Sequence, residues 1–188
     1  MSAPVSRPAI LVLGGTGTVG SRIVRQLSSS SSASRSNYTI LVASRNRSRG
    51  TSGPSDLGQQ HSGDRTQHVL FDWHNTDTWS NPFSTDSSSF PVAVSAVYLI
   101  APPSLDAESL MIKFIDFARE RGGVRRFVLQ SASSIEAGGP AMGKVHAYLR
   151  ELGQRSLVEW AVLRPTWFQR TCFFSLLFFP PLCLLLVR

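Results

Sequence analysis

The sequence predicts an α/β protein, a doubly wound parallel sheet of about six strands in the order 3-2-1-4-5-6. Three observations predict it. Short, unbroken apolar runs recur along the chain, as in strands buried on both faces. The first run meets a glycine cluster, Gly14-Gly15-Thr16-Gly17-Thr18-Val19-Gly20, which opens directly into a helical pattern. The runs alternate with connections long enough to cross over, four of them with room for a helix.

The elements follow in order. Ala9 to Leu13 reads as the first strand, and Val19, Ile23, Val24 and Leu27 recur behind it at helical spacing. A serine run from Ser28 to Ser36 is low-complexity and reads as a mobile connection. Tyr38 to Ala43 is a second strand. Residues 44–66 are rich in Ser, Gly and Arg without periodicity and read as a mobile surface loop. His68 to Phe71 is a third strand ending at Asp72-Trp73, and a polar stretch with Trp79 and Phe83 as anchors follows. Val92 to Ile100 is a fourth strand, stopped by Pro102-Pro103. Ser104 is placed to cap the next helix, whose first turn carries Asp106 and Glu108, the sign favoured there. Leu110, Met111, Phe114, Ile115 and Ala118 form its apolar face, and Gly122-Gly123 ends it. Arg126 to Gln130 is a fifth strand. Pro140 suits the first turn of a third helix with Met142, Val145, Leu149 and Leu152 as its stripe and Gly153 as its stop. Leu157 to Leu163 is the sixth strand, closed by Arg164-Pro165.

Composition narrows the function classes. At 188 residues, 42% hydrophobic and 16% charged, the chain can build one real core and is neither collagen, nor a long coiled coil, nor wholly disordered. Its two cysteines, Cys172 and Cys183, both lie near the C-terminal end. That excludes a disulfide scaffold and leaves the preceding residues without a thiol nucleophile or a cysteine metal site; no metal is expected. The apolar run Ala9 to Leu13 is too brief for a signal-peptide core, so the body reads as intracellular, hence cytoplasmic. Net charge is +7, carried mostly by arginine. The arginines are dispersed, with groups at Arg45, Arg47 and Arg49 and at Arg119, Arg121, Arg125 and Arg126. No helix-long basic stripe with interleaved aromatics is visible, so no nucleic-acid partner is expected.

The glycine cluster carries the chemistry. A glycine loop that follows a buried strand and opens a helix is the context of a dinucleotide-binding turn. Gly14 permits the tight turn, Gly17 lets the backbone approach a pyrophosphate, and Gly20 lets helix and strand pack closely. The helix N-terminus then faces the phosphates with unpaired N–H groups and a partial positive charge, and Thr16, Thr18 and Val19 of the loop are candidate cofactor contacts. The spacing is Gly-x-x-Gly-x-x-Gly rather than Gly-x-Gly-x-x-Gly. After the second strand stand Ser44-Arg45-Asn46-Arg47, with no acid until Asp56. A carboxylate there would bond a ribose and repel a 2′-phosphate, whereas a guanidinium holds that phosphate, so the expected cofactor is NADP(H). Asp72-Trp73 is a candidate flank for the adenine, or Trp73 is a core or rim anchor. Ala101 and Pro102 close the fourth strand beside the cleft. Ser131 and Ser133 after the fifth strand line the nicotinamide site or simply end a strand.

Ile10 to Gly20 (ILVLGGTGTVG), Val97 to Pro103 (VYLIAPP), Phe114 to Arg119 (FIDFAR) and Arg125 to Trp167 together resemble an atypical short-chain dehydrogenase of the NmrA-like group. Within it they are most similar to the fungal festuclavine/agroclavine dehydrogenases of ergot-alkaloid biosynthesis. The resemblance covers about residues 8–168 and implies NADPH-dependent hydride transfer to a carbonyl or iminium carbon of a small alkaloid-like substrate. Pro165 falls in the loop that, by the same resemblance, cups the nicotinamide. Short-chain dehydrogenases use Tyr-x-x-x-Lys, but Pro140 stands four residues before Lys144, and Tyr148 lies four after it, in the wrong order. Lys144, with Ser133, remains the catalytic candidate, as a ribose ligand or as part of a solvated helix face. Reducing a ketone requires a proton as well as hydride, whereas a cationic iminium requires hydride alone. The missing tyrosine favours an iminium substrate or no catalysis.

After Phe168 the resemblance breaks. The domain reading is therefore a Rossmann unit over 1–168, an aberrant apolar tail over 169–188, and a missing substrate-binding part. Between Cys172 and Val187, Ser175 is the only conventional polar residue. Three readings of this tail are open: a membrane anchor, a buried terminal helix, and non-native sequence from a frameshift or retained intron. Pro180-Pro181 opposes the first two, and the abrupt change at the end of a motif favours the third. Three functional readings accompany them: the oxidoreductase, inactive if truncated; a non-catalytic NADP-sensing regulator; and a membrane-tethered cofactor binder if the tail is genuine.

Overall fold

The computed structural model describes residues 7–29, 38–45, 65–84 and 92–166. They form an all-parallel sheet in the order β3-β2-β1-β4-β5-β6, the predicted class and strand order. The strands are β1 (Arg7–Val12), β2 (Thr39–Ser44), β3 (Thr66–Leu70), β4 (Val92–Leu99), β5 (Arg126–Gln130) and β6 (Glu159–Leu163). The crossovers carry α1 (Gly20–Ser29), a 3-10 helix (Thr76–Phe83), α2 (Ala107–Glu120) and α3 (Met142–Gln154).

Unbroken apolar strands are explained by two cores, one on each side of the sheet. Alternate side chains point to opposite faces. Leu11, Leu41, Val97 and Leu99 enter the larger core with α2, α3 and the 3-10 helix. Val12, Ile40, Val42 and Tyr98 enter a smaller one under Ile23, Val24 and Leu27 of α1. All six residues of β2 are buried, so no alternation is visible in its sequence. The β1–β4 register shifts between Ala9 and Ile10, which pair with Val94 and Ala96. Ser95, the extra residue, donates its hydroxyl to the Ala9 carbonyl at 3.2 Å, across the bulge.

On α2, Met111, Phe114, Ile115 and Ala118 are buried, as the stripe predicts. Gly123 at φ +64° ends it, and the Val124 N–H returns to the Ala118 carbonyl. The expected cap differs. The helix starts at Ala107 with Asp106 before it, and Ser104 instead accepts the Ala107 N–H on its carbonyl, its hydroxyl buried without a partner. Pro140 precedes the first turn of α3, because Ala141 takes the cap position at φ 51°. Gly153 does not stop α3, which runs on to Gln154. A Cβ there would sit 2.3 Å from Nε1 of Trp160, so that glycine is a packing requirement. The stretch after β3, given no element by its sequence, is a 3-10 helix. The Thr78 hydroxyl accepts the Asp72 N–H at 2.8 Å and donates to the Asn75 carbonyl at 2.7 Å, and the Trp79 indole N–H bonds the Asp72 carbonyl.

Strand ends moved by at most two residues, and those of β5 not at all, as is usual for ends that carry no pattern of their own. Ser28 and Ser29 belong to α1, and Ser44 and Thr66 belong to strands. The rest of the serine run, residues 46–64 of the expected loop, and the tail beyond Thr166 lie outside the described residues. Among the described residues no helix is long and apolar enough to cross a membrane, and no cluster of metal-ligating side chains is found.

Candidate functional site

In a parallel sheet every strand delivers its C-terminal end to the same edge. Six of the sequence-selected segments fall on that edge in spatial order. Asp72-Trp73 follows β3, Ser44-Arg45 ends β2, the glycine loop follows β1, Ala101-Pro102 follows β4, Ser131 and Ser133 follow β5, and Pro165 follows β6. Lys144 stands apart, on the first turn of α3.

At the centre of the edge the glycine loop is built as a cradle. Gly14 sits at φ +62°, a conformation that L side chains rarely adopt, and its carbonyl accepts the Gly17 N–H at 2.9 Å. A Cβ on Gly20 would lie 2.3 Å from the Gly14 carbonyl oxygen, so the close contact at Gly20 is between helix and loop rather than between helix and strand. A Cβ on Gly17 would meet only that same oxygen, at 3.2 Å, within 4 Å. Thr16, Gly17 and Thr18 are exposed, and among the described residues the N–H groups of Thr16, Thr18 and Val19 have no acceptor. The first turn of α1 carries no acid. Unused donors, a helix N-terminus and room at Gly17 fit an anionic diphosphate. The structure adds one glycine that the sequence left without a role. A Cβ on Gly15 would fall 2.6 Å from Cγ1 of Val42, so Gly15 lets β2 pass under the loop.

On the β2–β3 side, Ser44 is buried and Arg45 exposed, and the Ser44 carbonyl accepts the Phe71 N–H. Trp73 packs edge-on against Phe71 at 5.2 Å and Phe114 at 5.5 Å, which makes it a core anchor with one part still accessible. Asp72 turns its carboxylate back onto the His74 N–H. On the β4–β5 side, Pro102 is buried and Ala101 half-buried. Ser131 is buried with its hydroxyl unpartnered, and Ser133 is exposed. Their backbone amides bond the Leu163 and Pro165 carbonyls at 2.8 and 3.0 Å.

Lys144 and, one turn on, Tyr148 are both engaged with α2. Lys144 donates to Glu108 at 2.6 Å, a half-exposed pair of modest strength. The Tyr148 phenol donates to Asp116, and burial first, then that bond, pushes its pKa up to about 12. A phenol so held is a poor proton source at neutral pH. The sign of its linkage is set by a folded value above the ordinary 10. The stabilisation is complete below pH 10 and lost as pH rises through about 12. Tyr148→Phe therefore removes less than about 1 kcal/mol at neutral pH and flattens the loss of stability between those limits; urea unfolding in alkaline buffers reads this, and an unchanged alkaline limb would refute it.

No family model matches the chain. Among curated proteins it is 40% identical over 159 residues to festuclavine synthase II of Penicillium roqueforti, covering 85% of this chain and 47% of that protein. It is 46% identical over 117 residues to an agroclavine dehydrogenase of Claviceps fusiformis, covering 61% of this chain and 38% of the relative. Among solved structures, Citrobacter triphenylmethane reductase in complex with NADP(H) superposes with a TM-score of 0.58 at 20% identity, covering 89% of this chain and 52% of that one. An Escherichia coli NADPH-dependent quinone oxidoreductase in complex with NADPH gives 0.60 at 16%, covering 88% and 52%. At those identities the structures share the fold. The chain spans about half the length of the curated relatives it matches. The chain is thus a homologue of the festuclavine and agroclavine dehydrogenases over most of its own length.

Proposed function

We propose that this chain binds NADP(H) along the C-terminal edge of its sheet and serves NAD(P)-dependent oxidoreduction of a small alkaloid-like molecule. The observation that carries the reading is the cradle between β1 and α1. Free amides at Thr16, Thr18 and Val19 and the open position at Gly17 stand at a helix end without an acid. The clavine relatives and the two reductases named above support it.

The chain's own residues divide the work. Backbone amides of the glycine loop hold the diphosphate. Arg45, exposed beyond Ser44, holds the 2′-phosphate, and Asp72 and Trp73 flank the adenine. Ala101, Pro102, Ser131, Ser133 and Pro165 line the nicotinamide half. Lys144, released from Glu108, reaches the nicotinamide ribose. When bound, the reduced cofactor supplies hydride. Among the described residues each tyrosine hydroxyl donates elsewhere, Tyr38 to the Leu27 carbonyl, Tyr98 to Gln130 and Tyr148 to Asp116, which favours an iminium carbon over a ketone as the acceptor.

Arg45→Asp tests the cofactor assignment. NADPH affinity falls about tenfold or more while NADH affinity holds within about twofold, because only NADPH carries the phosphate that a guanidinium fork grips. Titration of intrinsic tryptophan fluorescence reads both, and equal losses would remove the assignment. The absence of a free phenol also favours a second reading, a regulator that binds NADP(H) and performs no chemistry. A chain that binds NADPH yet oxidises it with no iminium or quinone acceptor supports that alternative.

A further inference from the structure

One side chain ties the β5–α3 connection to the chain leaving β6. Arg164, the first residue after β6, points its guanidinium back across the edge. Nη2 donates to the Ser133 carbonyl at 2.7 Å and to Oε1 of Glu136, and Nε donates to the Ala132 carbonyl at 3.4 Å. The β5–β6 ladder ends at Gln130 and Leu163. The Ser131 and Ser133 amides continue it onto Leu163 and Pro165, and the guanidinium closes it from the side. Beyond, the Gly138 N–H bonds the Gly143 carbonyl at 2.7 Å. A Cβ on Gly143 would fall 2.4 Å from the Glu136 carbonyl, so the connection is folded tightly onto α3. The buried, unpartnered Ser131 hydroxyl sits on the platform thus made.

We propose that Arg164 is a positioning residue for the nicotinamide half of the bound cofactor, acting through Ser131, Ser133 and Pro165 without touching it. The proposal rests on the cofactor reading above. Glu136 is too exposed for its ion pair to matter much. The work falls to the two carbonyl bonds, which need the planar fork of arginine and which a lysine ammonium cannot reproduce together. A connection held before binding has less to lose in ordering when the ligand arrives. The adenosine half lies across the cradle, on the β2 side, outside the reach of this clasp. Removing the clasp therefore weakens one half of the ligand selectively, which a general loosening of the fold would not do.

The experiment compares the full chain with Arg164→Ala and Arg164→Lys, titrated with NADPH and with adenosine 2′,5′-bisphosphate, which lacks the nicotinamide half. Thermal unfolding is recorded on the same samples. The expected result is NADPH affinity about tenfold weaker in both variants and bisphosphate affinity unchanged within about twofold. Equal loss of both ligands, loss of neither, or full recovery in Arg164→Lys would overturn the proposal. Should Arg164→Ala fail to fold, the lysine variant decides alone. A parent chain that binds neither ligand overturns the cofactor reading, and the inference with it. A parent that binds both while the variants match it overturns the inference only.

Discussion

Gly17→Val abolishes NADPH binding, by at least about a hundredfold, and leaves the unfolding midpoint almost where it was. The asymmetry follows from what a side chain would meet. At Gly17 only the Gly14 carbonyl lies within 4 Å of a new Cβ, at 3.2 Å, so the loop gives by a few tenths of an ångström and the fold survives. The branched side chain then occupies the space in front of the free amides, where the diphosphate must come within hydrogen-bond distance. Calorimetric titration with NADPH, paired with urea unfolding, separates the two effects. Parental affinity would mean that the loop is a turn and nothing more. A collapse of stability equal to the loss of binding would mean that Gly17 is packed like Gly20, where the same Cβ would strike backbone at 2.3 Å.

Phe114→Ala is expected to cost about 3–5 kcal/mol, against the roughly 5–15 kcal/mol that holds a typical domain folded. Phe114 is fully buried on α2. Its ring is approached edge-on by Phe71 at 5.1 Å and by Trp73 and Trp79 at 5.5 Å each, with Phe83 tilted at 6.5 Å. Four of its neighbours therefore come from the segment between Phe71 and Phe83, which the Phe71 N–H ties to the Ser44 carbonyl, Asn81 to the Leu70 carbonyl, and Phe117 helps to cover. Truncation leaves a cavity that Trp79 cannot close without leaving its bond to the Asp72 carbonyl at 3.1 Å. The urea midpoint reads the loss, and Phe114→Leu should fall between parent and alanine. A cost below about 1 kcal/mol would show that the 3-10 segment is anchored elsewhere.

Much of the fold was legible because its signals are local or periodic. Apolar runs such as Thr39–Ser44 mark strands buried on both faces, and Met111, Phe114, Ile115 and Ala118 mark one helix face. The glycine loop was legible as a site because strand, turn and helix adjoin in sequence. What could not be read depends on partners brought from elsewhere in the chain. Gly15 answers to Val42, Gly153 to Trp160 and Gly122 to the ring of Phe83. Each looks in sequence like a turn or a stop. Tyr148 finds Asp116 from the neighbouring helix, and Arg164 finds carbonyls near thirty residues upstream, with no spacing rule to announce either. Ser104 misled for the opposite reason: its residue type suits a cap, but its carbonyl was the group used. The 3-10 helix had a signal that went unread, the turn-forming set Asp72, Asn75 and Thr78.

The position of β1 bears on how the chain is born. Ala9 pairs with Thr39 on one side, but Arg7 pairs with Val92 on the other. Emerging from a ribosome, β1 therefore meets β2 early and waits for β4 until the chain has been made past Val92. Throughout that interval its second edge, Ala9 to Val12, presents unsatisfied amides and carbonyls among fully apolar side chains. Such long-range closure is slow, and the waiting edge is a template for another nascent copy. Expression at low temperature or with a holdase chaperone should thus raise the yield of folded chain more than any change at its finished surface.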